Sequence, residues 1–320
     1  GFSEEEVLLA RRHGIRPVSR LHLSDRPAFA VFIGKCRPRN SVFTHGGARA
    51  AERRRNMEIS LADCLEKYRT PCRLGRPVLT GSGVKGTFDS KAVDCPFVFF
   101  HNGQFYMMYV GFDGAGYQTG LAVSRDLIRW TKKGAILRRG SSGWDRTGAA
   151  GMTMLRAAYD LHGTPTLGKF RGRYWMVYHS YPEAGYETGP ARIGLAWCEE
   201  ESLTTWHRLP APVMGWENGK SWESGGLYKG CLVENAGRFY LFYNAKDRAS
   251  GPWHEQIGLA VSDDLTRWSR CPGNPVLPVA PAGGWDDTFC ADPYVVRDGE
   301  LWLMFYYGFN RRHAQEGLAV

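Results

Sequence analysis

The 320-residue sequence lacks several common signatures, and each absence excludes a class of protein. Its eight cysteines include no Cys-x-x-Cys pair, which argues against a structural zinc site. No apolar run is long enough to span a membrane, and no secretory signal is recognised at the start. The net charge is +9, but the arginines are scattered and no nucleic-acid-binding motif accompanies them. We therefore expect no membrane and no nucleic-acid partner.

The cysteines also indicate the cellular compartment of the protein. Several lie inside apolar segments, as Cys231 does in KGCLVEN, where a free cysteine behaves as a small hydrophobic residue. This favours reduced thiols and a cytoplasmic protein, whereas a leader preceding this sequence would make the protein secreted. The oligomeric state is not defined by the sequence.

Aromatic residues are abundant and lie in short runs rather than being spread evenly. With 39 glycines and 17 prolines between these runs, the composition is that of an all-β protein. The runs are FYMMYVGF at 105–112, RYWMVYHSY at 173–181, RFYLFYNA at 238–245 and LWLMFYYGF at 301–309.

The chain repeats one series of phrases four times. In each copy a short apolar phrase leads through a loop to an aromatic residue and an acid, then to an aromatic run and a Gly-Leu-Ala phrase. Three copies continue to a Leu-x-x-Trp turn, and the second copy carries an insertion before Pro165. The four acids are Asp89, Asp145, Glu223 and Asp286, and the glycines of Gly-Leu-Ala are Gly120, Gly194, Gly258 and Gly317.

Each repeat of about 55–80 residues has the length of four antiparallel strands, which is one blade of a β-propeller. The aromatic strands are apolar on both faces, as expected when a sheet is packed between two neighbouring sheets. We predict five blades, the last assembled from the N-terminal segment and whatever follows Val320. Residues 71–320 would form the propeller, and residues 1–70 a helical or irregular segment with an amphipathic helix near Ala48–Arg69.

An acid at the entrance to every blade predicts a ring of carboxylates around one central pocket. Crowded carboxylates raise one another's pKa, and glycoside hydrolysis needs one protonated and one ionised carboxyl group. We assign Glu223 as general acid, Asp89 as general base and Asp145 as the residue that orients the sugar. Three further acids, close to the same strands, are alternatives for catalysis or substrate binding: Asp94, Asp286 and Asp292.

A structural role for the repeated aromatic-acid pair competes with this assignment, because such an acid can also cap a turn. Trp144, Trp222 and Trp285 are expected either to stack on sugars or to pack between blades, and packing is the favoured interpretation. We place three more residues in the substrate-binding set, from the same end of the blades: Tyr117, Arg146 and His179. Two matching loops are weaker candidates for substrate contact: GFDGAGYQTG, with Asp113 and Tyr117, and EAGYETG, with Tyr186 and Glu187.

From about Arg76 to Val320 the sequence resembles the five-bladed propeller glycosidases, the superfamily of glycoside hydrolase families 32, 43, 68, 117 and 130. The phrases that carry the resemblance are GTFDSKAVDCPFVFFHNGQFYMMYVGF, GLAVSRDLIRW and GLAVSDDLTRW. The resemblance implies an exo-acting enzyme with one acid on each of three blades, at Asp89 or Asp94, Asp145 and Glu223. The sequence lacks the Asn-Asp-Pro-Asn-Gly phrase of invertase-like members, and Ser-Gly-Gly follows Glu223 where many family 43 enzymes have Gly-Pro.

Three functions are compatible with these patterns. The leading prediction is a hydrolase that releases a terminal sugar from an oligosaccharide or polysaccharide, without a cofactor. A central metal ion occurs in such superfamilies, but no ligand set in the sequence requires one. The second prediction is a phosphorylase, which needs cations at the pocket, and the third is a non-catalytic glycan-binding propeller. The candidate phosphate-binding cations are Arg146, Arg311, Arg312 and His313.

Overall fold

The computed structural model describes residues 74–320, and this part of the protein is all-β as predicted. Its helical elements are two 3₁₀ turns, Trp216–Asn218 and Ser221–Glu223. The predicted helix near Ala48–Arg69 lies outside the described residues, so the proposed boundary at residue 70 stays a prediction. The strands are β1 Ala92–His101, β2 Gln104–Phe112, β3 Tyr117–Ser124, β4 Thr131–Leu137, β5 Ala150–Met154, β6 Tyr174–Ser180, β7 Arg192–Cys198, β8 His207–Arg208, β9 Gly226–Asn235, β10 Arg238–Lys246, β11 Glu255–Ser262, β12 Ser269–Arg270, β13 Phe289–Asp298, β14 Leu301–Phe309 and β15 Ala314–Ala319.

The strands pair in the order of the repeats. β1 to β4 and β5 to β8 each form a four-stranded antiparallel sheet with strands in sequence order. β9 to β12 form a third such sheet, and β13 to β15 a three-stranded one. A single parallel pair, Glu255 with Phe289, joins the last two sheets into one hydrogen-bonded unit. The predicted four strands per repeat are confirmed for three copies, whereas five blades remain a prediction.

Burial explains why the aromatic strands are apolar on both faces. All seven residues of β6 are buried, since this strand lies in the middle of a sheet that packs between two others. On one side Met176 joins a cluster with Phe97 and Met108 of the first sheet. On the other side Val177 packs with Leu227 and Leu241 of the third sheet. The face-to-face packing predicted from the sequence is confirmed.

The first strand of each sheet lies innermost, because β5 contacts β1 and β9, and β9 also contacts β13. Thr153 Oγ1 in β5 donates to the carbonyl of Gly230 in β9 at 3.1 Å and accepts from the Leu232 amide at 2.9 Å. The Val295 amide in β13 donates to Cys231 Sγ at 3.4 Å. These contacts place the four inner strands around a common axis.

The insertion found in the second repeat lies between β5 and β6 and packs against one end of the inner strands. Its Pro165 carbonyl accepts a hydrogen bond from the Phe100 amide in β1 at 2.6 Å. Its Tyr159 carbonyl accepts from the Arg297 amide in β13, also at 2.6 Å. The Tyr159 ring is buried and packs in a cluster with Cys231, and its hydroxyl donates to the Leu232 carbonyl. We call the opposite end, where the inner strands begin, the open end.

Candidate active site

Three of the four blade-entry acids, Asp89, Asp145 and Glu223, share one set of contacts. Each is buried inside its own sheet, where it accepts a hydrogen bond from a tyrosine of the second strand. Each is also ion-paired with a cation of the outermost strand. The partners of Asp89 are Tyr109 and Lys132, those of Asp145 are Tyr178 and Arg208, and those of Glu223 are Tyr243 and Arg270.

The fourth acid repeats the tyrosine contact. Asp286 is buried and accepts a hydrogen bond from Tyr306 Oη at 2.8 Å and a weaker one from Cys290 Sγ at 3.5 Å. A buried carboxylate with a tyrosine and a cation as partners ties the blade entrance to both the second and the outermost strand. The repetition of this acid is therefore the signature of a scaffold. These contacts place the predicted catalytic residues in the structural role that competed with the catalytic one.

The tryptophans belong to the same scaffold. Trp144 stacks on Tyr178 with ring centroids 5.3 Å apart, and Trp222 stacks on Tyr243 at 6.1 Å. Trp285 lies 5.7 Å from Tyr306. The sugar-stacking role considered for these tryptophans is not supported, and the favoured packing role is. A Cβ added at Gly194, of a Gly-Leu-Ala phrase, would lie 2.6 Å from Trp144, which explains why the phrase begins with glycine.

The residues that converge on the axis lie six positions after the anchoring acids. Cys95, Lys229 and Asp292 occupy β-bulges in β1, β9 and β13 and have φ values of 49°, 47° and 53°. The left-handed region is costly for residues other than glycine, and bulges re-aim side chains near functional sites. Asp94, next to the first bulge, is exposed at the open end. Two of the alternative acids, Asp94 and Asp292, thus lie where the site was expected.

A polar network joins these bulges. Lys229 Nζ donates to Asp292 Oδ2 at 2.8 Å, and Asn244 Nδ2 donates to Asp292 Oδ1 at 3.1 Å. The Asp292 amide donates back to Asn244 Oδ1 at 2.7 Å. The Lys229 amide donates to His179 Nδ1 at 3.3 Å. Burial lowers the pKa of Lys229, but Asp292 and the other nearby acids outweigh it and hold the pKa well above its usual range.

Glu187, a weaker candidate for substrate contact from the sequence, lies beside this network. It lies in the loop between β6 and β7, with a φ of 50°, and is partly buried. Burial raises the pKa of Glu187 to about 7; Lys229 opposes this shift, and Glu255 adds to it. A carboxyl group that exchanges its proton near neutral pH is suited to general acid catalysis. The available sequence signal was the match between its loop and the one before Tyr117.

The predicted substrate-binding residues divide into two groups. His179 is buried, and burial lowers its pKa to about 3, so its imidazole is neutral. Tyr117 lies beside the same network, and burial, followed by Glu187, raises its pKa far above the usual value. Arg146 is exposed. The other proposed phosphate-binding cations are exposed as well, on the loop between β14 and β15: Arg311, Arg312 and His313.

Two features are absent from residues 74–320. This part of the protein contains no group of three or more His, Cys, Asp or Glu side chains placed to hold a metal ion. It also contains no helix with the length and apolar character needed to cross a membrane.

Comparison with known proteins agrees with this architecture. Residues 164–318, slightly under half of the sequence, match the family described as glycosyl hydrolases family 32 N-terminal domain. No curated protein sequence matches this one.

Several solved structures are similar. One described as a complex of BT0996 with RGII has a TM-score of 0.60 and 23% identity, over 81% of this chain and 93% of that one. A putative glycosidase from Bacteroides thetaiotaomicron has a TM-score of 0.56 and 17% identity, over 77% and 73% of the two chains. A third structure comes from work on family 130, described as mannoside phosphorylases that include hydrolases of β-1,2 mannosidic linkages in Candida mannan. It has a TM-score of 0.53 and 17% identity, over 76% and 69% of the two chains.

At these identities the structural likeness establishes the fold alone. The family match adds sequence similarity over the second half of this chain. The resemblance to the propeller glycosidases stated from the sequence is therefore confirmed: the second half of the chain is similar to the family 32 N-terminal domain, and the fold is similar to that of solved glycoside hydrolase structures.

Proposed function

We propose that the protein is a glycoside hydrolase that cleaves a terminal sugar in the open end of the axis, using Glu187, Asp94 and Asp292. The observation that carries the proposal is the position of Glu187, a carboxyl group with a pKa of about 7, among the ion-paired bulge residues. The packing of Tyr159 against Cys231 and Val295 of the inner strands supports exo-action, because a polymer cannot pass through this cluster. The substrate would be an oligosaccharide or a polysaccharide end.

The proposed chemistry divides the roles by environment. Glu187, protonated near neutral pH, donates its proton to the glycosidic oxygen as the bond from that oxygen to the anomeric carbon breaks. Asp94 is exposed, and its Oδ1 accepts a hydrogen bond from the Cys95 amide at 2.7 Å. In this proposal Asp94 takes the proton of the attacking water. Asp292, held by Lys229 and Asn244, would bind sugar hydroxyls.

The decisive experiment compares Glu187→Gln with Glu183→Gln on a panel of 4-nitrophenyl glycosides. Glu183 is an exposed acid of the same loop and is the matched control. Loss of general acid catalysis costs about 10²–10⁴-fold in kcat. A 2,4-dinitrophenyl glycoside needs little protonation of its leaving group, so we expect much of the loss to disappear with that substrate. Full activity of Glu187→Gln on every substrate that the wild type cleaves would refute the assignment.

A phosphorylase is the second candidate, favoured by the cations Lys229 and Lys246 at the axis. Phosphate would then replace water as the attacking group. Turnover that depends on added phosphate and yields a sugar phosphate would support it, and full turnover without phosphate would support hydrolysis. A protein that binds glycans but cleaves none of them would support the non-catalytic alternative.

A further inference from the structure

A buried lysine lies beside the pocket, and no carboxylate is in contact with its ammonium group. Lys246, the last residue of β10, has no exposed surface. Among residues 74–320 no carboxylate lies within ion-pairing distance of its ammonium group, and its hydrogen bond to the Glu187 carbonyl is long, at 3.5 Å. The ammonium group lies 4.7 Å from the Trp253 ring centroid and 5.5 Å from that of Tyr181. Burial lowers the pKa of Lys246, an effect opposed by Glu187 and Glu255.

One buried hydroxyl group beside this lysine is also without a partner. Tyr181 is 4% exposed, and its hydroxyl has no hydrogen-bond partner within residues 74–320. The neighbouring Tyr228 hydroxyl differs, because it lies beside the Glu255 carboxylate; burial, followed by Glu255, raises the pKa of Tyr228. Buried polar groups in native proteins are nearly always hydrogen-bonded, and an unsatisfied one costs about 1–3 kcal/mol. Such a group beside an unpaired lysine indicates a missing partner.

The polar atoms of this cluster that have no partner can donate hydrogen bonds. His179 Nδ1 accepts the Lys229 amide, so the hydrogen of the neutral imidazole is on Nε2. The Lys246 ammonium group has donors only, and the Tyr181 hydroxyl can donate. The nearby acceptor Glu255 already receives hydrogen bonds from Trp253 Nε1 at 2.8 Å and Asn244 Nδ2 at 3.5 Å. Unpaired donors around a buried ammonium group are complementary to anionic oxygen atoms.

We infer that Lys246, Tyr181 and His179 form an oxyanion subsite of the pocket, which binds a carboxylate or phosphate group. The inference rests on the proposed function and narrows its substrate class. One source of the anion is the carboxylate of an acidic sugar in the terminal position. The other source is inorganic phosphate, whose oxygen would attack the anomeric carbon while the departing oxygen takes the Glu187 proton, yielding a sugar phosphate.

Binding experiments separate the subsite from catalysis. Isothermal titration of the wild-type protein at fixed ionic strength would use galacturonate against galactose, glucuronate against glucose, and inorganic phosphate. We expect at least one anion to bind, and the Lys246→Met variant to bind it about tenfold to hundredfold more weakly, as expected for loss of a charge-assisted hydrogen bond. Lys133→Met, which removes an exposed lysine, controls for net charge. Neutral sugars binding as tightly as their acids, with no binding of phosphate, would overturn the subsite.

The melting temperature gives a second readout that a structural lysine would not share. Replacing a buried, unpaired charge with an apolar side chain of similar size is neutral or stabilising, so we expect the Tm of Lys246→Met to stay equal or rise. A clear fall in Tm with unchanged anion binding would mean that the lysine serves the fold, which contradicts the inference.

Turnover identifies the source of the anion. Cleavage of 4-nitrophenyl uronides in preference to the matching neutral glycosides assigns the subsite to a sugar carboxylate, and phosphate-dependent cleavage assigns it to phosphate. Phosphate-independent cleavage of neutral glycosides alone would refute the subsite and leave the proposed hydrolase standing. Anion binding that requires Lys246, in a protein whose Glu187→Gln variant keeps full activity, would refute the catalytic proposal and keep the subsite.

Discussion

The Glu223→Gln variant tests the division between scaffold and active site. The Glu223 carboxylate is fully buried, and it accepts hydrogen bonds from Tyr243 Oη at 2.9 Å and Arg270 Nε at 2.7 Å. Glutamine keeps an acceptor for Tyr243 but removes the charge that neutralises Arg270. Breaking a fully buried ion pair costs about 3–5 kcal/mol, and the 23% exposure of the Arg270 side chain reduces this figure. We expect a loss of about 2–3 kcal/mol.

A loss of this size lowers the melting temperature by about 4–10 °C in a domain of this length. Calorimetry measures it directly, and kcat on a 4-nitrophenyl glycoside, taken well below both melting temperatures, measures catalysis separately. We expect kcat to change by less than about threefold, because Glu223 lies outside the bulge network that holds Asp292. Arg270→Met and the double variant complete a cycle, in which the double variant should recover part of the stability. A hundredfold fall in kcat at an unchanged Tm would show that Glu223 is catalytic.

Three further outcomes follow from the same contacts. Gly194→Ala places a Cβ 2.6 Å from Trp144, so urea unfolding should show a loss of about 1–3 kcal/mol, and an unchanged midpoint would contradict the packing argument. Burial raises the folded-state pKa of Glu187, so the wild-type protein loses stability as the pH rises from about 4.5 to 7. The Glu187→Gln variant should therefore have a higher melting temperature than the wild type at pH 8, but not at pH 4. Because the acid must be protonated, kcat of the wild type should fall above about pH 7, and a rate that is flat to pH 9 would exclude Glu187 as the acid.

Much of the fold was predictable because it depends on features that recur. The Gly-Leu-Ala phrase, the aromatic strand and the blade-entry acid are repeated since each sheet packs in the same way against its neighbours. Apolarity on both faces correctly indicated stacked sheets, as the full burial of β6 shows. The number of blades was not predictable in the same way, since the closing blade was assigned to segments that carry no copy of the repeat.

The candidate site was less predictable because sequence position alone does not give side-chain direction. Asp89 and Asp94 are five residues apart, yet Asp89 pairs with Lys132 in the outermost strand while Asp94 is exposed at the axis. A bulge at Cys95 lies between Asp94 and the rest of β1 and reverses the usual alternation of side chains. Single-sequence reasoning places a strand but does not locate a bulge. The role of Glu187 was harder still to predict from the sequence. Its pKa depends on its burial and on Lys229 and Glu255, which come from other segments of the protein.

The repeat itself separates the two kinds of residue. A position that must satisfy the same packing in every blade keeps the same chemistry, as the four anchoring acids do with their tyrosines. Six residues later three copies have Cys95, Lys229 and Asp292, which share a bulge but not a side-chain type. The bulge fixes the direction of the backbone, so the residue there is free to differ between blades without loss of the sheet. Asymmetric chemistry on a symmetric scaffold is therefore expected where the copies disagree, and Lys229 with Asp292 is the pair that this rule selects.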